Sequence, residues 1–169
     1  SDGSALKIDG KSEVELDAVM VESPKRKVTL KLQYGRLLFD VQTQAVKDEF
    51  EIRTEKIASI VRGTAGFIMN SDGLESSSLK EGRLEVVLPN ESVTALSSGQ
   101  TLIANANGSK VVSLMCSGTL FLARAIDSIA SEFASRQGIR ASKISLDDME
   151  SMLLSYDEVY KKKSESFIR

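Results

Sequence analysis

The chain has 169 residues, 41% hydrophobic and 27% charged, which is the composition of one globular unit, alone or with a small appendage, and not of a disordered tail. Its 22 basic and 24 acidic residues leave a net charge of −2, so the chain as a whole is not drawn to nucleic acid or to an anionic membrane surface. There is no histidine and one cysteine, Cys116, which excludes Ser-His and Cys-His nucleophile pairs, histidine-containing zinc sites, an intrachain disulfide and any CxxC pair.

The first residues, Ser1-Asp2-Gly3-Ser4, are polar and do not form a signal peptide, and no run of about 18 apolar residues is present to span a membrane. From Leu6 to about Leu114 the hydrophobic period is two. Val28, Leu30 and Leu32 alternate with Thr29, Lys31 and Gln33, and Leu37, Phe39 and Val41 continue after Gly35. Phe50 and Ile52, then Leu84, Val86 and Leu88, repeat the pattern. Such spacing places apolar side chains on one face of a pleated strand. Turn residues separate the runs at Ser23-Pro24, Asn70 to Gly73, Pro89-Asn90, Ser97 to Gly99 and Asn105 to Gly108.

Beyond about Thr119 the period becomes helical. Leu122, Ile126, Ile129 and Phe133 fall on one face, with Ala125 and Ala130 beside them. Ser117 or Thr119 is placed to cap the start, and Gly138 to close the end. A second helix is expected from Ser145, with Leu146, Met149, Leu153, Tyr156 and Tyr160 on one face. Acids lie in its first turn and Lys161-Lys162-Lys163 in its last, as the helix dipole favours. The predicted fold is therefore mainly β, a twisted two-sheet β-sandwich or a short β-solenoid over residues 1–114. A C-terminal α-helical pair over 115–169 packs on it. Two apolar stripes on short helices require burial, on the β unit or on a second copy of the chain. The short Gly138–Ile144 link favours docking within the chain and a monomer.

Leu32-Gln33-Tyr34-Gly35-Arg36-Leu37 and Leu79-Lys80-Glu81-Gly82-Arg83-Leu84 share Leu-x-x-Gly-Arg-Leu, the mark either of two similar strand-turn-strand units or of a duplication. The carboxylates Asp48-Glu49-Glu51 and Asp147-Asp148-Glu150 lack the offsets of a calcium loop and are expected on the surface, as is Lys25-Arg26-Lys27 at a turn tip. Cys116, with no histidine to activate it, reads as a buried structural thiol. No nucleophile elbow, phosphate loop or dinucleotide fingerprint occurs. No catalytic, cofactor-binding or metal residue is expected, and the chain is not expected to be an enzyme.

The stretch from Phe50 to Ile68 reads as two strands around Gly63, with the Arg62 guanidinium placed to tie neighbouring carbonyls or a carboxylate. Five blocks follow one another in order: Gly35-Arg36-Leu37-Leu38-Phe39-Asp40-Val41, Phe50 to Thr54, Ala58 to Thr64, Glu81 to Val86, and Gly99-Gln100. Together they resemble the FecR domain family over about residues 28–104. The residues that carry the family pattern are Phe50, Thr54, Ala58, Arg62, Gly63, Thr64, Gly82 and Gly99, and their implied role is structural. Gly66 is one residue more than the pattern has between Thr64 and Phe67.

The resemblance implies a non-catalytic extracytoplasmic module, periplasmic in location, that senses or binds another protein as part of an anti-sigma regulator. It implies membrane attachment only through a segment absent from this chain, and no nucleic-acid partner. The competing expectation is a scaffold domain of the bacterial cell envelope with no signalling role.

Overall fold

A computed structural model describes residues 4–22, 25–42, 48–115 and 119–166. The alternating runs form β1 (Ala5–Ile8), β2 (Glu13–Glu22), β3 (Lys25–Val41), β4 (Asp48–Arg53), β5 (Ala58–Val61) and β6 (Thr64–Ser71). They continue as β7 (Leu74–Glu81), β8 (Leu84–Val87), β9 (Val93–Leu96), β10 (Gln100–Asn105) and β11 (Gly108–Ser113). Helices α1 (Thr119–Gln137) and α2 (Leu146–Ser166) follow, joined through a 3-10 turn at Ala141–Lys143. The fold is mainly β with a C-terminal helical pair, as the periodicities predict. The strands lie in a single curled mixed sheet in the order β11-β10-β7-β6-β3-β4-β5-β8-β9, with β1 and β2 also on β3. The β3–β4 pair is parallel and the other pairs are antiparallel.

The curl originates in β3. Its first part pairs with β2 and β4, in registers such as Val28↔Val19 and Val28↔Phe50. Its second part pairs with β1 and β6, in registers such as Leu37↔Ile8 and Leu37↔Ile68. Gly35, at φ +99°, separates the two parts. A Cβ there would lie 2.2 Å from Ser12 Oγ, which accepts the Arg36 N–H at 2.9 Å. Only glycine lets the β1–β2 link press against this bend.

Inside the curl the alternating side chains form one core. Leu32, Leu37, Ile52 and Leu84 are fully buried there with Phe39, Ile68 and Leu102. The opposite face of β6, β7, β10 and β11 carries Phe67, Met69, Leu74, Ile103 and Val112. These meet Leu122, Ile126, Ile129 and Phe133 of α1, and Met149 and Leu153 of α2. The helical stripes are therefore covered by the chain's own sheet, except that Tyr160 remains 47% exposed. Gly138, at φ +65°, ends α1 and places the Ile139 N–H on Phe133 O at 3.2 Å. The proposed Ser117 cap and the Cys116 thiol lie outside the described residues.

Both copies of Leu-x-x-Gly-Arg-Leu fall where the chain crosses the curl. Leu32 and Leu37 flank the bend in β3, Leu79 and Leu84 flank the passage from β7 to β8, and all four point into the inner core. The glycines have φ of +99° and +93°. Gly66 sits within β6 opposite Phe39, and its missing Cβ would fall 2.2 Å from Ser78 O and 2.9 Å from the Phe39 ring. Lys25-Arg26-Lys27 opens β3 and is not a turn tip, because β4 lies parallel beside it and supplies partners for Lys27.

Candidate functional site

The eight family-pattern residues gather into three places. Phe50 is buried in the inner core opposite Val61, and Ala58 pairs with Arg53 and Val87. Gly63, at φ +61°, forms the β5–β6 corner with Arg62 and Thr64. Gly82, at φ +93°, packs on that corner: a Cβ there would lie 2.6 Å from both Gly63 O and Thr64 Cγ2. Gly99 stands apart, donating its N–H to Leu79 O at 3.0 Å and accepting from Leu114 N at 2.9 Å. The Arg62 guanidinium is exposed and makes no hydrogen bond or ion pair among the described residues, so it does not tie the corner as expected. The corner is held by backbone conformation and packing. The Thr64 hydroxyl oxygen is buried there without a hydrogen-bond partner.

Thr54 leads to a group that periodicity does not reveal. Its Oγ1 lies 2.5 Å from Glu75 Oε2 and accepts the Ile57 N–H at 3.2 Å. Glu75 is 0% exposed, on the inner face of β7. Its carboxylate also accepts the Lys56 N–H at 3.0 and 3.1 Å, and the Lys56 ammonium is 3.9 Å away. Burial raises the Glu75 carboxyl above its ordinary value, against the lowering effect of Thr54 and Lys56. Beside it Ser59 and Ser77 share a hydrogen bond of 2.8 Å across the curl, and Thr101 donates to Ser78 at 2.9 Å on the other face. The segment Glu75-Ser76-Ser77-Ser78 is entirely polar, yet it is a central strand buried on both faces. Mutual pairing of polar groups satisfies most of it, although Ser76 Oγ is unpaired.

On the outer face, Glu51 is 5% exposed and not the solvated acid its cluster suggests. Burial pushes its carboxyl up, but Arg53 at 2.6 Å and Lys27 at 2.8 Å hold it below the ordinary range. Glu49 also binds Lys27 at 2.6 Å. Arg36 bridges Asp9 at 3.2 Å and Asp127 of α1 at 2.9 Å, tying the β1–β2 link to the helical layer. Among the described residues no group of three or more His, Cys, Asp or Glu side chains is placed to hold a metal ion. An open polar cleft of about 640 Å³ lies between α1 and the β6–β7 turn, lined by Asp72, Asp127, Ser131, Arg140 and Ser142.

The β1–β2 edge differs from the rest of the surface. Both strands pair with β3 alone, so their outer edge has no strand beside it among the described residues. Leu6 and Ile8 oppose Phe39 and Leu37, and Leu16 and Val19 oppose Leu30 and Val28. The partners point into the core, but the edge residues themselves are 45%, 54%, 61% and 54% exposed. Val21 reaches 72%. The apolar inner face thus continues past the last enclosed strand into solvent.

Residues 1–83 match the family model described as FecR protein. Among curated proteins none matches the chain. Two crystal structures, each of a "putative anti-sigma factor" from Parabacteroides distasonis ATCC 8503, share the fold. One superposes with a TM-score of 0.62 at 19% identity and the other with 0.61 at 20%. Each match covers 79% of this chain but only 65% and 66% of those chains, so this chain spans less than two thirds of their length. No described helix here is long and apolar enough to cross a membrane. Residues 1–83, just under half of the 169-residue chain, are thus similar to the FecR family, and the fold is shared with the two crystal structures.

Proposed function

We propose that this chain is a non-catalytic, extracytoplasmic sensing and protein-binding part of a FecR-type anti-sigma regulator. The observation that carries the reading is the FecR match over residues 1–83. The fold shared with structures described as anti-sigma factors supports it, as does a sequence without histidine. The family-pattern residues Phe50, Thr54, Ala58, Arg62, Gly63, Thr64, Gly82 and Gly99 serve the fold in this reading and touch no ligand.

The test is genetic and topological. In the bacterium that encodes the chain, an in-frame deletion of its codons is compared with the intact strain by transcript profiling. A regulator predicts one co-ordinated set of transcripts that changes with the deletion. An envelope scaffold predicts altered permeability or shape with no such set, and that result overturns the regulator. Protease added to intact spheroplasts should digest the chain, and protection from it would overturn the extracytoplasmic location.

A further inference from the structure

We infer that the open edge of β2 is a docking site for an added β-strand whose residues alternate between apolar and basic. This rests on the protein-binding reading above and names its surface and the chemistry of its partner.

Among the described residues the backbone along the outer side of β2 has no pairing strand, and strand addition supplies one. Leu16, Val19 and Val21 form a row on the same face as the core residues of β3, and an added strand extends that face and removes the row from water. The other signal is charge. β2 carries Glu13, Glu15, Asp17 and Glu22 and no basic residue. Glu13, Glu15 and Asp17 are exposed. Of these, Glu15 accepts from Gln33 at 3.2 Å and Asp17 lies within the field of Arg53 on β4, while among the described residues no ion pair links any of the three to β3. Edge strands use charge to prevent self-association, yet such strands do not also keep a row of large apolar side chains in water. A second copy of the chain brings the same four acids and no base, so β2 against β2 offers no opposite-charge pair in any register. A strand with Lys or Arg on one face and Val, Ile or Leu on the other satisfies both signals.

The probe is a fluorescent, end-capped peptide of alternating lysine and valine, titrated into the whole chain at low salt. Its counterpart has glutamate in place of lysine. The lysine peptide should bind at least tenfold more tightly than the glutamate peptide, and should protect β2 amides from hydrogen exchange. The variant Glu15→Lys with Asp17→Lys leaves β2 with two acids and two bases and should abolish the preference. Val19→Thr with Val21→Thr should weaken capture at least tenfold without changing the charge. These sites are exposed, so the variants fold, and circular dichroism checks that they do. Equal binding of both peptides, binding of neither, or binding unaffected by the β2 variants overturns the inference, as does a dimer that forms through β2. Absent capture with an intact transcript response removes the edge and leaves the regulator. Capture with no transcript response leaves the edge and removes the regulator.

Discussion

Removing the helical pair should unfold the β unit. Truncation after Leu114 uncovers Phe67, Met69, Leu74, Ile103 and Val112, none more than 2% exposed in the whole chain. At about 1.5–3 kcal/mol for each such side chain, the loss is about 8–15 kcal/mol, comparable to the entire stability of a domain of this size. The truncated chain should therefore bind a hydrophobic dye and lose its cooperative urea transition, while the intact chain sediments as a monomer. Ile126→Ala is the milder form of the same perturbation. Ile126 is 0% exposed between α1 and the sheet, so its truncation should cost about 2–5 kcal/mol, read from urea midpoints at constant slope. A truncated chain with the full-length midpoint and no dye binding would refute the packing argument, and so would an Ile126→Ala cost below about 1 kcal/mol.

Glu75→Gln should change the pH profile. The raised carboxyl takes up a proton more readily in the folded state, so its contribution favours folding at low pH and declines as pH rises from the ordinary value of 4.5 through the folded value. Glutamine still reaches Thr54 and the Lys56 N–H, so the variant should gain urea resistance relative to the parent as pH rises above 4.5; a difference that stays constant with pH would count against the buried charge. Gly82→Val forces a side chain onto Gly63 O and into the left-handed region and should cost at least about 2 kcal/mol. A cost within experimental error would show that the corner can open. Asn105→Ala removes Nδ2 from Ile144 O at 2.8 Å and Ala141 O at 3.4 Å, and Oδ1 from the Asn107 N–H at 2.9 Å. The expected loss is about 2–3 kcal/mol, with faster amide exchange in the α1–α2 link.

What the sequence made legible was whatever had a clean period. Leu122, Ile126, Ile129 and Phe133 announce α1, and Val28 through Val41 announce β3, because their faces have a single dominant environment. β7 has no such period because it has two environments. Its Leu74 and Leu79 face opposite cores, and the four residues between them are polar yet buried. Their burial depends on partners far away in sequence, Thr54, Ser59 and Thr101, which no local window contains. Asn105 was equally hidden. It looks like an ordinary turn residue, and its role in holding the Ala141–Ile144 link appears only when the two are brought together. Asp157 is similar: it is 1% exposed and accepts the Met115 N–H at 2.6 Å, tying α2 to the end of the sheet. The motif glycines were readable as glycines, since a positive φ leaves a compositional mark, whereas Arg62 promised a tether that the fold does not make.

The sharing of β3 between both arms of the curl bears on how the molecule opens. A sheet built from two separate ribbons can lose one and keep the other. Here the same 17-residue strand pairs with β1, β2, β4 and β6, so neither arm can release its central ladder without disturbing its neighbour. Amide exchange should therefore find β3, β4 and β6 in one slow cooperative unit that opens only by global unfolding. β2 and β9, each paired on one side only among the described residues, should exchange through much cheaper local fraying. A rigid spine with soft margins lets an edge strand rearrange around a partner while the interior remains in register.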